Sequence, residues 1–515
     1  MKKLIALLLT VLAMAFCLTG CKDKVDTVAY ENGVVKSGNG TFAIEKGDYL
    51  YFVNGVASNF TDNKMGDVEK GALYRVKLTE MGTKNANVER VIPKLATTGS
   101  ATNGVFIYGD NVYYASPYDE KDKTGTVRSD YVDFRSFNLK DGNSERISYE
   151  KNSVSKYQFL QNGNKVYLAY EYSETVDGAE KKKLKVLDAS NGDSVYSVDG
   201  YTGLFFADDN QGKIFFAKNA YSEDLDADES FSEIYCYVAG NSSADMVFSG
   251  CGKNALGRDN RNSDDYKAKI LDYTDLSGAT LTIVKNTGKF LIFKLASLDT
   301  NSTTCYFGLD LSKEVKKENL VNMGSSNTYI DTALTSTAVV ADLNSIYYIE
   351  NSTYLKGLVK FDYSKVGEVT RGRTLLTGKA NGANLAFMDG NFIYVSGTDG
   401  IYYRVDVTQG ENADYRQINA IASKGLTEWF VPRVVGDKFI TVYGDSIFQN
   451  YLYAIDLKDF ANEDKYGEYI SGLATLDREK VTALSETIVG KMTGSDKDAF
   501  NASLDATYPE KTDEE

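Results

Sequence analysis

The stretch that decides the fold is Gly47-Asp48-Tyr49-Leu50-Tyr51-Phe52, a turn signal followed at once by an aromatic strand. Glycine and aspartate favour tight turns, and aromatic residues favour extended strands. Both alternate faces of this strand are apolar, so it is predicted to be covered on both sides.

The same turn and strand occur eight times along the chain. The other copies are Gly109 to Tyr114, Gly163 to Leu168, Gly212 to Phe216, Gly288 to Phe293, Asn344 to Tyr348, Gly390 to Tyr394 and Gly436 to Ile440. Their spacing averages roughly 55 residues, which is typical of propeller blades with loop insertions. Chance recurrence in another all-β fold does not explain eight copies with similar following strands.

Each copy leads to a further strand that often ends in aspartate, namely Asp188, Asp310, Asp362, Asp406 or Asp456. We interpret these aspartates as turn formers, because Asp side chains bond their own backbone in turns. A strand such as residues 105–108 precedes each turn, and another follows the aspartate. The resulting four strands per repeat are the content of one propeller blade.

The sequence therefore predicts an all-β chain with a single β-propeller of eight four-stranded blades over residues 41–476. Seven blades remain an alternative if one copy is irregular. The third strand of a blade is predicted to lie nearer the solvent rim, because in the second repeat Asp133 and Arg135 share one face of this strand. The wide gap between the fourth and fifth copies indicates an insertion near residues 252–275.

The N-terminus has the parts of an export signal, with Lys2 and Lys3 before an apolar run that ends in Leu18-Thr19-Gly20-Cys21. This end resembles the lipobox of bacterial lipoproteins. The resemblance implies that residues 1–20 are a signal peptide, and that Cys21 carries a diacylglyceryl thioether and becomes the first mature residue. Acyl chains such as palmitate would then hold the protein to a membrane. An ordinary secretory signal is the alternative.

Two further segments resemble the divergent repeats of TolB-like and quinoprotein-like propellers in bacterial envelope lipoproteins. They are Tyr453-Ala454-Ile455-Asp456-Leu457 and Val186-Leu187-Asp188-Ala189-Ser190-Asn191-Gly192. The likeness covers about residues 40–475. It implies a propeller in the cell envelope, facing the periplasm or the cell exterior, and it implies no activity.

Charge and composition exclude several classes of function. The whole chain has a net charge of −15, and because its signal holds Lys2 and Lys3 but no acid, the mature side chains total −17. This balance argues against nucleic acid as a partner. The chain has no histidine, which excludes Ser-His-Asp hydrolases and histidine-bound metal sites.

The mature cysteines other than Cys21 are Cys236, Cys251 and Cys305, without CxxC spacing. A Cys236–Cys251 disulfide and three buried thiols in strands both satisfy this pattern.

An acidic run could ligate calcium, but it lacks the glycine and the bidentate glutamate of an EF-hand. A solvated acidic loop is favoured, and the sequence predicts no metal site and no cofactor. The run comprises Asp224, Asp226, Asp228, Glu229 and Glu233.

Outside the propeller, residues 21–40 are predicted to be the lipidated cysteine and a flexible tether. Residues 477–515 are predicted to form a short helix, over 477–492, and a disordered acidic tail.

The predicted function is that of a membrane-anchored lipoprotein that binds or scaffolds without catalysis. Its ligand would be a carbohydrate, a peptide or an envelope protein, held on one face of the ring. The alternative is a carboxylate-dependent glycosidase or lyase, but 72 acidic residues without a specific motif nominate no catalytic pair. Cys21 is the only residue to which a role is assigned.

Overall fold

The computed structural model is nearly all β. It describes residues 32–53, 73–81, 87, 89–92, 104–117, 132–151, 153–207, 211–220, 231–251, 263–271, 279–287, 289–297, 305–325, 328–335, 339–343, 345–351, 356–362, 373–378, 384–396, 401–412, 415–421, 433–443, 451–459 and 468–469.

Within these residues, 33 strands form eight antiparallel sheets, each made from consecutive strands. Blade 1 holds β1 (Val35–Ser37), β2 (Ala43–Lys46), β3 (Tyr49–Val53), β4 (Leu73–Lys77) and β5 (Glu89–Ile92). Blade 2 holds β6 (Phe106–Tyr108), β7 (Asn111–Pro117), β8 (Val132–Asn138) and β9 (Ser144–Glu150). Blade 3 holds β10 (Ser153–Asn162), β11 (Lys165–Val176), β12 (Ala179–Asp188) and β13 (Ser194–Asp199). Blade 4 holds β14 (Thr202–Phe206), β15 (Lys213–Ala220), β16 (Phe231–Val238) and β17 (Asp245–Cys251).

The second half repeats this order and adds two short helices. Blade 5 holds β18 (Ala279–Asn286), β19 (Phe290–Ser297), β20 (Cys305–Asp310) and β21 (Leu320–Ser325). Blade 6 holds β22 (Val339–Asp342), β23 (Ser345–Asn351), β24 (Lys356–Asp362) and β25 (Arg373–Thr377). Blade 7 holds β26 (Asn384–Asp389), β27 (Phe392–Ser396), β28 (Ile401–Asp406) and β29 (Tyr415–Ile421). Blade 8 holds β30 (Arg433–Val435), β31 (Lys438–Tyr443), β32 (Tyr451–Asp456) and β33 (Glu468–Tyr469). Helix α1 (Asp264–Ala268) lies between blades 4 and 5, and α2 (Thr328–Thr335) lies between blades 5 and 6.

In six blades the structure describes the predicted glycine turn, which joins the first and second of the four strands, counted from β2 in blade 1. At these turns the backbone adopts positive φ at one glycine in each of the six blades, namely Gly47, Gly109, Gly163, Gly212, Gly390 and Gly436. Glycine adopts this conformation without steric cost, and the tight turn lets two neighbouring strands pair at once. The eight-bladed, four-stranded architecture is therefore confirmed, and blade 1 carries β1 as an additional strand.

Apolar packing between blades follows from the two-sided second strand. In β11, Leu168 and Tyr170 pack toward blade 2, whereas Tyr167 and Ala169 pack toward blade 4. All four are buried. Burying one such large side chain contributes about 1.5–3 kcal/mol, so interleaved blades stabilise one another.

Because every blade is built from consecutive strands, side-chain contacts close the ring. Hydrophobic clusters join each neighbouring pair of blades in turn. At the seam, Val435 and Ile440 of blade 8 pack in the same cluster as Ala43 of blade 1. The Arg433 guanidinium also donates to the Ala43 carbonyl oxygen at 3.4 Å.

First strands line the axis, because first strands of neighbouring blades contact each other. Thr41, just before β2, forms an isolated antiparallel bridge with Val105, just before β6. The fourth strand lies at the rim, as the exposed positions of β13 indicate.

The antiparallel order gives the ring two different ends. We name as the turn face the end with the first-to-second and third-to-fourth connections. The connection face carries the second-to-third and fourth-to-first connections. The longest gaps between strands belong to the connection face, at residues 54–72, 118–131 and 252–278.

The structure decides one alternative that the sequence left open and changes one expectation. Cys236 lies opposite Asp245 and Cys251 opposite Phe231, so the register keeps the two cysteines apart and no Cys236–Cys251 disulfide forms. Cys236 and Cys305 are free thiols, the first buried and the second half-buried. In the third strand of blade 2, Asp133 is buried, because two arginines neutralise it.

Part of the predicted tether is also ordered. Residues 32–41 enter at the turn face, and β1 pairs with β2 from Val35 opposite Lys46. The predicted C-terminal helix over 477–492 and the signal with Cys21 lie outside the described residues.

Candidate functional site

The strand-end aspartates at the turn face bond to their own turns. The Asp188 carboxylate accepts from the Ser190 amide at 2.9 Å and from its hydroxyl at 2.6 Å. Asp310 does the same with Ser312, and Asp406 with Thr408. For these three residues the interpretation as turn formers is confirmed.

These bonds lower the pKa of the aspartates. The Ser312 hydroxyl is the main cause of the lowered pKa of Asp310, and the Thr408 hydroxyl is that of Asp406. Burial alone would raise the pKa of Asp188, but the bonds from Ser190 and the Lys165 ammonium outweigh it. A carboxylate held ionised in this way is a poor general acid.

Toward the connection face, carboxylates bond instead to tyrosines. Glu233 in β16 is buried and accepts from the Tyr235 hydroxyl at 2.8 Å and from the Tyr266 hydroxyl at 2.9 Å. Tyr266 belongs to α1, whose N-terminus is capped by Ser263. The Ser249 hydroxyl lies 2.7 Å from that of Tyr266. Because Tyr266 uses its proton on Glu233, Ser249 donates to Tyr266.

Glu171 in β11 forms a second such cluster. Its carboxylate accepts from the Ser155 hydroxyl at 2.6 Å and from the Tyr201 hydroxyl at 2.9 Å, and the Lys182 ammonium lies 3.8 Å away. Burial and the charge of Glu171 raise the pKa of Tyr201. The Tyr201 hydroxyl therefore keeps its proton at neutral pH and acts as a donor.

The same pairing occurs in blades 2, 3 and 6. The Tyr170 hydroxyl donates to Glu150 at 3.1 Å, and the Tyr348 hydroxyl donates to Glu350 at 3.1 Å. Burial, followed by the charge of Glu150, raises the pKa of Tyr170. Sequence reasoning missed these pairs, although two of them had a signal in the Glu-x-Tyr spacing at 233 and the Tyr-x-Glu spacing at 348, which put both groups on one face of a strand.

Glu150, Glu171 and Glu233 bond to hydroxyls of other segments of the ring, whereas Glu350 bonds to Tyr348 within β23. The contacts of Glu171 and Glu233 engage both of their oxygens. A glycosidase needs two carboxyl groups facing each other across an open space, with about 5–9.5 Å between them. Within the described residues, no group of three or more Asp, Glu or Cys side chains is placed to hold a metal ion. Of the acidic run, only Glu233 is described, and it bonds to tyrosines.

A cavity of about 690 Å³, named the central cavity, opens at the turn face between the N-terminal segment and the first strands of blades 2, 3 and 8. Residues 32–39 line one side of it, and the turn at Gly109 and Asp110 lines another, with Gln161 and Arg433 completing the wall. The Asn39 side chain accepts from the Ile107 amide at 2.7 Å and fixes the N-terminal segment against blade 2.

A smaller cleft of about 460 Å³ lies between blades 4 and 5 on the turn face. Lys213, Asp245, Lys313 and Glu314 line it, together with the Cys236 thiol. The charges of its wall are mixed, so they favour no ligand of one sign.

Aromatic platforms for sugars are scarce in the part of the chain that the structure describes. There, the exposed large hydrophobic side chains are Val34 and Tyr149. The Tyr149 ring lies between two cations, with Arg146 at 5.9 Å and Lys151 at 5.5 Å from its centroid. Neither helix in the described residues is long and apolar enough to cross a bilayer.

No family model matches the sequence, and no curated protein matches it either. Solved propellers are similar to it in fold. The β-propeller domain of the Trilobed protease from Pyrococcus furiosus is 10% identical, with a TM-score of 0.31, over 76% of this chain and 94% of that one. A europium-containing methanol dehydrogenase is 10% identical, with a TM-score of 0.35, over 83% of each chain.

Oligopeptidase B from Leishmania major is 11% identical, with a TM-score of 0.40, over 72% of this chain. This chain spans only 48% of that peptidase. Likeness at these identities is a likeness of fold and carries nothing about activity.

Proposed function

We propose that the chain is a membrane-anchored lipoprotein facing the periplasm or the cell exterior, with a ring that binds a carbohydrate, a peptide or an envelope protein without catalysing a reaction. The observation behind this proposal is how the acids toward the connection face are used. Three buried glutamates there, Glu150, Glu171 and Glu233, bond to tyrosine or serine hydroxyls of other segments of the ring, and this use fits a rigid platform better than a reactive centre. A rigid scaffold that carries long connections is a common basis for binding.

The anchor is tested at Cys21. The full chain, expressed in a bacterium that processes lipoproteins, should incorporate labelled palmitate and sediment with membranes. Cys21→Ser should incorporate none and should be released or remain unprocessed. A Cys21→Ser protein that stays membrane-bound and is normally cleaved contradicts the anchor, and Cys17→Ser is the matched control.

Binding is tested by shortening one connection. Residues 54–72 are replaced by Asp-Gly, because Asp177-Gly178 already joins β11 to β12 in this way in blade 3. The parent and the variant are titrated with envelope polysaccharides and with envelope extracts. We expect saturable binding by the parent, weakened at least about tenfold in the variant, which corresponds to about 1.4 kcal/mol.

The same titrations separate binding from catalysis. New reducing ends or unsaturated sugar products formed by the parent, and lost with the connection, would identify the polysaccharide-active enzyme instead. Equal binding by parent and variant would remove this connection from the ligand site.

A further inference from the structure

From the path of residues 32–41 we infer that the turn face lies against the lipid bilayer, so that the connection face points away from it. This inference rests on the proposed anchor at Cys21 and adds to it which face of the ring the membrane covers. The occupant of the turn face is thus the bilayer surface to which Cys21 is attached.

The point of entry is fixed by backbone contacts. The Val34 carbonyl accepts from the Gly47 amide at 3.0 Å, and Gly47 belongs to the first tight turn of blade 1. Asn32 and Gly33 line the central cavity of the turn face beside Gly109. The chain therefore reaches the ring from the turn-face side, close to the axis.

The segment is held firmly at this position. The Gly40 amide donates to the Val105 carbonyl at 2.9 Å, and the Val105 amide donates to the Thr41 carbonyl at 3.0 Å. The Lys36 ammonium donates to the Gly47 carbonyl at 2.9 Å. The first two bonds join blades 1 and 2, and the third holds the segment to the first turn of blade 1. The entry point is therefore fixed relative to the ring.

The length of chain between Cys21 and Asn32 indicates which face of the ring the bilayer covers. Ten residues lie between them. At full extension they reach about 35–40 Å, and as a flexible coil they span only about 16–19 Å. A bilayer on the turn face lies within the coil distance.

A bilayer on the connection face would require a longer path. The chain would first cross the three spacings between the four strands of a blade, about 14 Å at about 4.7–4.9 Å each. It would then descend the ring, about 17–26 Å for strands of five to eight residues. That route uses the full extension of the tether and removes most of its conformational entropy. The turn face requires no such extension.

An exposed apolar side chain lies at the entry point. Val34 is 75% exposed, beside the mouth of the central cavity. The net charge of the mature chain, −17, does not draw it to anionic lipid, so the tether is the attachment from which we infer the orientation. Zwitterionic vesicles are therefore the appropriate membrane for a test.

The test uses the lipidated full chain in phosphatidylcholine vesicles that carry a headgroup quencher. A fluorophore is placed on single added cysteines at Asp437 on the turn face, Lys181 on the β11–β12 hairpin of the connection face and Ser197 on the rim. The parent chain, labelled in the same way, gives the background from its own thiols. Sedimentation with the vesicles is measured in every sample and reports the anchor separately.

We expect quenching at Asp437→Cys to exceed that at Lys181→Cys by about threefold or more, with Ser197→Cys between them. Insertion of twenty Gly/Ser residues after Lys24 should reduce the difference, because the coil length grows with the square root of residue number. Vesicle-bound protein with equal quenching at the three sites, or with the strongest quenching at Lys181 or Ser197, overturns the orientation. Protein that does not sediment with the vesicles overturns the anchor instead.

Discussion

The two ends of the ring use the same chemical group in different ways. At the turn face, Asp188 and Asp310 accept hydrogen bonds from serines two residues ahead. Toward the connection face, Glu233 accepts from Tyr266, 33 residues away, and Glu171 accepts from Tyr201, 30 residues away. A turn carboxylate thus organises its own loop, whereas Glu171 and Glu233 also join segments that are distant in sequence.

This difference determines what losing each group should do. Ser190 and Ser312 are exposed, so water can replace the bonds that they lose, and each aspartate contributes little net stability even though Asp188 itself is buried. Removing the buried Glu233 takes away a charged acceptor that the Tyr235 and Tyr266 hydroxyls share. The two ends should therefore differ in stability effect even though both contain Asp or Glu.

The largest expected effect is that of Glu233→Ala. The change removes the acceptor of Tyr235 and Tyr266, and we expect a loss of about 3 kcal/mol in the free energy of unfolding, since bonds to buried charges are worth about 1.5–3 kcal/mol. Urea denaturation at pH 7 measures it. Glu233→Gln keeps one acceptor and should lose less.

Glu180→Ala is the matched control, because Glu180 is exposed in β12. It should change stability by less than about 0.5 kcal/mol. Equal losses for Glu233→Ala and Glu180→Ala would show that the tyrosine network adds no stability.

The same contrast explains what the sequence could predict. The Gly-Asp and Gly-Asn turns and the aspartates before Ser190 and Ser312 are local patterns, so eight blades and the turn-forming aspartates were predictable. Two of the tyrosine partners follow a spacing of two within one strand. Tyr266 belongs to α1 and Tyr201 lies between β13 and β14, so their bonds depend on the packed ring and not on nearby sequence.

The structure of the N-terminal segment also depends on contacts that the nearby sequence does not predict. Residues 32–40 are polar and rich in glycine, and this composition predicts a flexible tether. Their order comes from contacts with blades 1 and 2, including the bridge from Thr41 to Val105. Gly38 illustrates this tertiary origin, because a Cβ there would lie 2.1 Å from the Ala43 carbonyl oxygen.

A smaller effect is expected at the turn face. Asp188→Ala removes the acceptor of the Ser190 amide and hydroxyl, and should lower the free energy of unfolding by about 1 kcal/mol. Asp188→Asn keeps an acceptor and should lose about half as much. Asp199→Ala, at an exposed position of β13, is the control. A loss at Asp188 as large as that at Glu233 would contradict the difference between the two ends.

The smallest effect is a pH dependence carried by Asp310 and Asp406. Hydrogen bonds from Ser312 and Thr408 lower the pKa of these aspartates from 3.8. A carboxyl group with a lowered folded-state pKa adds stability above its unfolded pKa, and this stability is lost as the pH falls through the folded pKa. The two aspartates should therefore stabilise the ring at pH 6 and cease to do so well below pH 3.8.

Asparagine isolates the charge, because its side-chain oxygen still accepts from the turn amide. The double variant Asp310→Asn/Asp406→Asn should have a lower urea midpoint than the parent at pH 6 and should lose less stability between pH 6 and pH 3. Subtracting the two pH profiles removes the contribution of the other carboxylates common to both chains. Since both aspartates are only partly buried, salt and solvent weaken the effect, and the difference should be small but of fixed sign. Parallel profiles would mean that the turn bonds depend on the oxygen atom alone and that the charge adds no stability at this end of the ring.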